Sequence, residues 1–410
     1  MSSPHAETDP SCSSINDCCI KFSGESFCWD FVFVILPVRH GGNIHNVAQA
    51  QGKPLGRLID FSASINPLGL SPVVRRAIQQ SIPDTIHYPD RSGQQLRKGI
   101  AVAQGISEDL IVLGNGSAEL ITVLPRALGS QHGLVIGPTF MEFERALILT
   151  GAQCTYVHAR KDARYQSPID DVCQMLLKQG AFSGKKRKAG SRGLPIDTVF
   201  LCNPNSPTGH VCSRSRVRQL LNVVQKTKIS LIVDEAFIDY CASHSMLQDV
   251  DSMKRLIVLR SFTKFYAMPG LRLGYLVGPS DVVSHVVSLL PPWSVNTLAH
   301  NAALAALRDT VYPKKCVEFM RRERTRFRRQ LQRLPGLQVY PSSTNFLLVE
   351  LSVEYQVPVL VQILQEEGLL IRDCQSFSGI HAPTIRLAVR RVRENNRLVR
   401  ALKWALPACR

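Results

Sequence analysis

Short apolar runs alternate with amphipathic segments along most of the chain from about residue 60 onward. The apolar runs are rich in β-branched residues and have the length of strands; they are Leu134–Ile136, Thr198–Leu201, Ile229–Val233, Leu256–Leu259 and Leu273–Val277. The segments between them repeat apolar residues at helical spacing, as in Ser117–Leu128, Phe140–Leu149 and Arg214–Lys226. Continuously apolar strands that alternate with helices predict an α/β fold with a mainly parallel sheet covered on both faces.

This alternation stops near Leu290–Trp293. A long helical pattern follows from about Ser294 to Leu334, and shorter strand and helix patterns continue to a last helix that begins near Arg393. The change predicts a large domain followed by a smaller α+β domain. We therefore divide the chain into a largely disordered N-terminal extension (1–39), an arm and small-domain segment (40–66), a large domain (67–290) with a flexible basic insertion (180–193), and an interdomain helix with the C-terminal small domain (291–410).

Composition argues against several classes of protein. No apolar run approaches the ~20 residues that span a bilayer, and acidic residues near the start argue against a targeting peptide, so we expect a cytoplasmic protein without membrane contact. The 12 cysteines form no C-x-x-C pair, which argues against a metal site. The net charge of +17 is concentrated in three segments without interleaved aromatic residues, which disfavours nucleic-acid binding. Solvated helix faces and attraction of phosphorylated substrates explain the charge more simply.

One lysine stands in a segment suited to covalent chemistry. Lys264 lies among hydroxyl and apolar residues and is followed by a Pro-Gly turn and Arg272. A lysine forms a Schiff base only as a neutral amine, which requires an apolar pocket or a neighbouring cation. Ser261, Thr263 and Arg272 offer donors for a phosphate. Taken alone, the pattern is more typical of a surface lysine near a turn, so the interpretation depends on motifs elsewhere in the chain.

Two further segments offer contacts for a phosphorylated ring. Asp234 follows the strand Ile229–Val233, and open α/β sheets bind ligands at the carboxyl ends of their strands. A carboxylate there can pair with a protonated pyridine nitrogen; a helix cap or a solvent-facing acid is the alternative. Gly116, Ser117 and Ala118 stand at the start of a helix, where free backbone N–H groups bind phosphate, although capping by Ser117 alone would also explain them.

These motifs together resemble the fold-type I aminotransferase superfamily. Val233–Phe237 resembles its Asp-Glu-Ala-Tyr/Phe motif, and Asn203–Gly209 resembles its Asn-Pro-Asn-Asn-Pro-Thr-Gly loop. Further segments are similar to the threonine-phosphate decarboxylases, a family close to the histidinol-phosphate aminotransferases; they are His40–Asn43, Asp60–Gly69, His87–Asp90, Pro292–Asn296 and Leu370–Cys374. The resemblance runs from about His40 to Leu402. It implies an aspartate aminotransferase-like, PLP-dependent transferase fold in which 67–290 binds pyridoxal 5'-phosphate.

The resemblance implies a role for each matched residue. Lys264 and Asp234 would be catalytic, with Lys264 joined to the cofactor and Asp234 paired with its ring nitrogen. The cofactor-binding residues would be Gly116, Ser117, Ala118, Phe140, Asn205, Ser206, Asp234, Ser261, Thr263, Lys264, Arg272 and, reaching across a homodimer with shared active sites, Tyr88. The substrate-binding residues would be His40, Gly41, Ser64, Asn66, Ser206, Arg372 and Arg386.

The reaction that the resemblance implies is decarboxylation of O-phospho-L-threonine to (R)-1-amino-2-propanol O-2-phosphate in cobalamin biosynthesis. A histidinol-phosphate or related aminotransferase is the alternative, because the shared cofactor machinery does not decide which substrate bond breaks. A non-catalytic pyridoxal-binding regulator would need a DNA-binding domain, which residues 1–39 do not resemble. Ser64 and Ser206 stand where the family has asparagine, so Asn66 or Asn205 could take over those contacts.

Overall fold

The computed structural model describes residues 41–182 and 194–410. The predictions for the extension at 1–39, for His40 and for residues 183–193 of the insertion lie outside the described residues. The strands are β1 (Ile59–Asp60), β2 (Ile111–Asn115), β3 (His132–Gly137), β4 (Gln153–His158), β5 (Thr198–Cys202), β6 (Ser230–Asp234), β7 (Leu256–Ser261), β8 (Leu273–Val277), β9 (Leu337–Val339), β10 (Phe346–Leu351), β11 (Leu369–Leu370), β12 (Arg372–Asp373) and β13 (Thr384–Ala388). The α-helices are α1 (Ile44–Gln51), α2 (Pro72–Ser81), α3 (Gln94–Gln104), α4 (Ser117–Leu128), α5 (Glu142–Leu149), α6 (Ile169–Phe182), α7 (Arg214–Thr227), α8 (Ser280–Leu289), α9 (Thr297–Arg308), α10 (Val311–Leu331), α11 (Val357–Glu366) and α12 (Val392–Ala405).

A seven-stranded sheet forms the first layer of the fold, in the order β2-β8-β7-β6-β5-β3-β4. Strands β4, β3, β5, β6 and β7 pair in parallel, whereas β8 is antiparallel to both β7 and β2. The mainly parallel sheet predicted from the apolar runs is therefore confirmed. Because β5, β6 and β7 are parallel neighbours, their carboxyl ends meet at one edge of the sheet.

Both faces of this sheet are covered, which explains why its strands are apolar throughout. In β5, Val199 and Leu201 belong to a core that includes residues of α6, α7 and α9. Phe200, between them, points to the opposite face and packs with residues of α4, α5 and α8. The same alternation separates Leu231 and Val233 from Ile232 in β6, so each strand supplies both cores.

A second, antiparallel sheet lies in the C-terminal part of the chain, in the order β12-β13-β10-β9. Its core includes residues of α10, α11 and α12. The short strand β1 pairs in parallel with β11, which joins residues 59–60 to this part of the chain. The predicted domain boundaries at residues 67 and 291 stay predictions.

The helical region predicted from about Ser294 to Leu334 is helical in the structure, where it consists of two helices, α9 and α10. Asp309 lies between them, and its Oδ1 accepts the N–H groups of Val311 at 3.2 Å and Tyr312 at 2.9 Å. This side chain satisfies N–H groups at the start of α10 and so favours a new helix over continuation of α9.

Candidate active site

A cavity of about 400 Å³ opens at the carboxyl edge of the large sheet. Its walls include the last residues of β5 and β6, the loop after β7, the start of α4, and arginines from β12 and β13. The sequence-predicted site residues that line it are Gly41, Ser64, Ser117, Ala118, Phe140, Ser206, Asp234, Thr263, Lys264, Arg272, Arg372 and Arg386. The structure thus brings together residues that are as much as 345 positions apart, from Gly41 to Arg386.

Five predicted residues do not line the cavity. Gly116 and Ser261 lie just behind its wall, beside Arg272 and Thr263 respectively. Asn205 is buried, and its Nδ2 donates to the carbonyl of Pro138 at 2.8 Å while its Oδ1 accepts from Thr139 at 2.7 Å. The side chain of Asn205 is therefore engaged within the protein and does not replace the amide missing at Ser206.

Asn66 and Tyr88 lie away from the cavity in different ways. Asn66 is 3% exposed, and its Nδ2 donates to the carbonyl of Phe265 at 2.8 Å. Tyr88 is 81% exposed and stacks on Trp293 with ring centroids 4.7 Å apart. Neither side chain contacts the cavity in the single chain, and the roles predicted for them stay predictions.

Lys264 belongs to the loop after β7 and lines the cavity. Burial is the main reason that the pKa of its amine falls from its ordinary value to about 8; the nearby guanidiniums of Arg386 and Arg272 contribute in the same direction, and Asp234 opposes them. A substantial fraction of the amine is therefore neutral near physiological pH. This is the property that a Schiff-base lysine requires.

Asp234 is the last residue of β6 and is 4% exposed. Burial raises the pKa of its carboxyl to about 6, although the N–H of Ala236, which donates to Oδ1 at 2.9 Å, and the amine of Lys264 act to lower it. Phe140 lines the same cavity and offers an aromatic face. A buried carboxylate and an aromatic ring in one cavity fit a flat heteroaromatic cation.

One part of the cavity wall, which we call the helix end, consists of Ser117, Ala118, Thr263 and Arg272, with Gly116 just behind it. The N-cap of α4 is Gly116 with φ +78°, so capping by the Ser117 side chain, the alternative considered from the sequence, does not occur. A Cβ on residue 116 would lie 2.5 Å from Nη2 of Arg272, so any larger residue there would require this guanidinium to shift. Backbone N–H groups, a hydroxyl and a guanidinium together suit a phosphate.

A second part of the cavity wall, which we call the arginine end, consists of Ser62, Ser64, Ser206, Arg372 and Arg386. Arg372 and Arg386 are directly opposite each other in the antiparallel pair of β12 and β13. Arg386 donates from Nη1 to Oγ of Ser206 and from Nη2 to the carbonyl of Ser62, both at 2.8 Å. Two like charges opposite each other destabilise a sheet unless an anion lies between or beside them.

The electrostatics of the arginine end agree with this geometry. Burial lowers the pKa of the Arg386 guanidinium to about 10, and the positive charge of Arg372 also lowers it. Arg372 lies over the ring of Phe377, with its Cζ 5.3 Å from the ring centroid. The arginine end therefore concentrates positive charge in a partly dry site, which suits a ligand with two anionic groups.

Nine further residues line the cavity that are not among the predicted site residues. Most of them are neighbours of predicted residues and could have been found from that proximity; the nine are Ser62, Ala63, Met141, Glu142, Arg145, Cys202, Ala236, Phe237 and Phe377. Arg145 and Glu142 form an ion pair of 3.2 Å on α5. No sequence motif indicated Phe377, because its position in the cavity wall depends on the fold of the segment between β12 and β13.

The comparisons with known proteins agree on one family. A family model described as aminotransferase class I and II matches residues 57–402. This chain belongs to the class I and II aminotransferase family.

Within the part of the chain that the structure describes, no helix has the length and apolar character needed to cross a membrane.

Members of this family with different activities are similar to the chain. It is 34% identical to the threonine-phosphate decarboxylase of Salmonella typhimurium over 90% of this chain and 96% of that protein. It is 30% identical to the adenosylcobalamin biosynthesis bifunctional protein CobDQ of Leptospira interrogans, over 88% of this chain and 40% of that longer protein. The crystal structure of the histidinol-phosphate aminotransferase from Clostridium acetobutylicum matches with a TM-score of 0.76 and 27% identity, covering 86% of this chain and all of that one.

Proposed function

We propose that this chain is a pyridoxal-phosphate-dependent decarboxylase that converts O-phospho-L-threonine to (R)-1-amino-2-propanol O-2-phosphate and carbon dioxide. The observation that carries the proposal is that Arg372 and Arg386 line the same cavity as Lys264 and Asp234. A substrate with a carboxylate and a phosphate offers one oxyanion to each guanidinium. The similarity to the Salmonella threonine-phosphate decarboxylase supports the same activity, and a place in cobalamin biosynthesis is part of the proposal.

The cofactor that fits the cavity is pyridoxal 5'-phosphate. We propose that Lys264 is its covalent attachment point, that Asp234 faces its ring nitrogen and that the helix end holds its phosphate. The N–H groups at the start of α4 and the guanidinium of Arg272 favour a phosphate there. When bound, pyridoxal phosphate supplies an electron-poor ring that accepts the electron pair released as a bond at the substrate Cα breaks.

Residues of this chain would orient the substrate and return a proton to its Cα. Arg372 and Arg386 would hold the two anionic groups so that the carboxylate is the group that leaves. Asp234, with a pKa of about 6, is largely ionised at neutral pH and stabilises positive charge in the cavity. Lys264, with a pKa of about 8, can return a proton to Cα after carbon dioxide leaves. The products are then carbon dioxide and a protonated amine that carries the substrate phosphate.

A histidinol-phosphate aminotransferase remains the second candidate. The solved structure from Clostridium acetobutylicum favours it, since that enzyme has the same fold over most of this chain. Lys264, Asp234 and the helix end would serve either reaction in the same way. The two activities differ at the arginine end, where a decarboxylase must direct the carboxylate and an aminotransferase must direct a C–H bond.

One assay separates these candidates. Purified enzyme loaded with pyridoxal phosphate is given phosphothreonine, phosphoserine or histidinol phosphate, each with and without 2-oxoglutarate. We expect carbon dioxide from phosphothreonine without any requirement for 2-oxoglutarate. Formation of glutamate from 2-oxoglutarate and histidinol phosphate, without carbon dioxide release from phosphothreonine, would replace the proposed function with the second candidate.

We further propose that the active enzyme is a homodimer in which Tyr88 reaches the cofactor phosphate of the other subunit. Tyr88 and Ile86 are 81% and 82% exposed, and such large exposed side chains favour burial against a second copy. A sedimentation measurement should give twice the mass of the chain, and a monomeric active enzyme would contradict the shared site. The cytoplasmic location and the lack of nucleic-acid and membrane partners stay predictions.

A further inference from the structure

Asn66 is hydrogen-bonded to the backbone of the segment that carries Lys264. Its N–H donates to the carbonyl of Lys264 at 3.0 Å, and its Nδ2 donates to the carbonyl of Phe265 at 2.8 Å. Its Oδ1 accepts the N–H of Leu68 at 3.1 Å. Both ends of the amide are therefore used within the protein, and the residue is 3% exposed.

The long helix α10 holds the Asn66 side chain in turn. Nδ2 of Asn66 lies 3.0 Å from Sγ of Cys316 and 3.4 Å from Oη of Tyr312. Tyr312 also donates to the carbonyl of Gly69, three residues after Asn66. Phe265, Tyr312 and Cys316 belong to the core of the C-terminal part of the chain. The backbone next to Lys264 is thus joined through one amide to a helix that packs in a different core from the large sheet.

We propose that Asn66 is a positioning residue for Lys264 and does not bind substrate. It fixes the carbonyls of Lys264 and Phe265, and so fixes the direction in which the lysine side chain enters the cavity. The inference rests on the proposed function, since it concerns the lysine that would hold the cofactor. A displacement of about 1 Å at a reacting group can cost on the order of 100-fold in rate, so a backbone contact of this kind is large enough to matter.

Ser64 shows what a substrate-facing residue in the same segment looks like. It lines the cavity, whereas Asn66 does not. Its Oγ is buried and, among the residues that the structure describes, has no hydrogen-bond partner. The two residues are only two positions apart, and the structure separates them into one that faces the cavity and one that holds its wall.

The test uses the enzyme loaded with pyridoxal phosphate and the variant Asn66→Ala. Three quantities are measured: the pH midpoint of the visible absorbance of the lysine-bound cofactor, kcat, and KM for phosphothreonine. We expect the midpoint to rise by about half a pH unit or more, because a looser backbone admits water and water favours the charged form. We expect kcat to fall about 10-fold or more, with KM changed less than about two-fold.

A matched control comes from Asn345, another fully buried asparagine. Its Nδ2 donates to the carbonyl of Ser64 at 2.9 Å and makes no contact with Lys264 or Phe265 among its hydrogen bonds in the described structure. The variant Asn345→Ala removes a comparable buried amide from the wall on the substrate side. We expect Asn345→Ala to raise KM and to leave the pH midpoint of the absorbance unchanged. A general loss of stability would not produce this separation of the two quantities.

Two further variants alter contacts to Asn66 and provide a test even if the Asn66→Ala protein does not fold. Cys316→Ala and Tyr312→Phe each remove one contact to its amide, and each should shift the midpoint upward by less than Asn66→Ala does. If Asn66→Ala does not fold, these two variants decide the question. An unchanged midpoint and an unchanged kcat in both would then overturn the proposal.

Other outcomes are equally decisive. A raised KM with an unchanged midpoint in Asn66→Ala would make Asn66 a substrate ligand and overturn the positioning role. Unchanged values of all three quantities would show that the amide only fills space. If the unaltered enzyme has no lysine-dependent visible absorbance, the proposed function itself fails, which is distinguishable because it precedes any effect of the variants.

Discussion

The helix end and the arginine end of the cavity differ in how their polar groups are satisfied. At the helix end, Thr263 hydrogen-bonds at 2.8 Å to Ser261 behind the cavity wall, and Arg272 donates to the carbonyl of Pro269 at 3.2 Å. At the arginine end, Oγ of Ser64 and Nε of Arg386 are buried and have no hydrogen-bond partner within residues 41–182 and 194–410. An unsatisfied buried polar group costs about 1–3 kcal/mol, so ligand oxygens would relieve a cost at the arginine end.

The two ends of the cavity also differ in how closely they keep the pattern of the superfamily. The helix end depends on backbone N–H groups and on a glycine whose φ is positive, and it keeps the pattern that resembles the superfamily. The arginine end depends on side chains, and it contains both serines that replace asparagines in that pattern. We infer that cofactor binding is set at the helix end and that the choice of substrate is set at the arginine end.

The variant Lys264→Ala should have the largest effect, because Lys264 lines the cavity together with both ends and would both hold the cofactor and return the proton. We expect turnover to fall by about 1,000-fold or more, since both covalent attachment and proton return are lost. Steady-state decarboxylation of phosphothreonine measures the loss. Lys254→Ala is the control, because Lys254 is exposed and precedes the same strand, β7, that Lys264 follows. Equal activity of the two variants would contradict the role of Lys264.

The variant Arg386→Ala tests the arginine end alone. We expect KM for phosphothreonine to rise about 100-fold, because a charge-assisted contact to an oxyanion is lost, while affinity for the cofactor changes little. Arg390→Ala is the matched control: its guanidinium pairs with Glu394 at 2.9 Å and does not line the cavity. An unchanged KM in Arg386→Ala would remove Arg386 from the substrate site.

The variant Gly116→Ala tests the helix end alone. The added Cβ would meet the Arg272 guanidinium, so we expect the Kd for pyridoxal phosphate to rise about 10-fold with a smaller change in KM for substrate. Gly129→Ala is the control, because Gly129 has φ +62° at the other end of the same helix and an added Cβ meets nothing within 4 Å. Equal losses of cofactor affinity in both variants would mean that only helix stability was changed.

The pH dependence of cofactor uptake gives the smallest and most specific effect. Only the neutral amine of Lys264 reacts, so the uptake rate of the apoenzyme should rise with pH and level off above its pKa of about 8. Between pH 7 and pH 8 the neutral fraction, and hence the rate, should increase about five-fold. A rate that continues to rise towards pH 10 would show that burial and the two neighbouring arginines do not lower the pKa.

Features of the fold and site that depend on residues close together in the sequence were predicted better than features that depend on contacts between distant residues. The parallel sheet follows from apolar runs, and the residues around Asp234 and Lys264 stand in contiguous motifs that meet at one sheet edge. The pairing of Arg372 with Arg386 depends on a strand register that no local pattern specifies. The direction of Asn66 depends on contacts with residues about 200 and 250 positions away, which spacing alone cannot indicate.

Locating the covalent bond to the cofactor tests directly whether Lys264 is the attachment point. The loaded enzyme is reduced with borohydride, digested with a protease and analysed by mass spectrometry. We predict that the pyridoxyl group is found on the peptide that contains Lys264 and is absent when Lys264→Ala is treated in the same way. A pyridoxyl group on a different lysine, or on none, would rule out Lys264 as the attachment point.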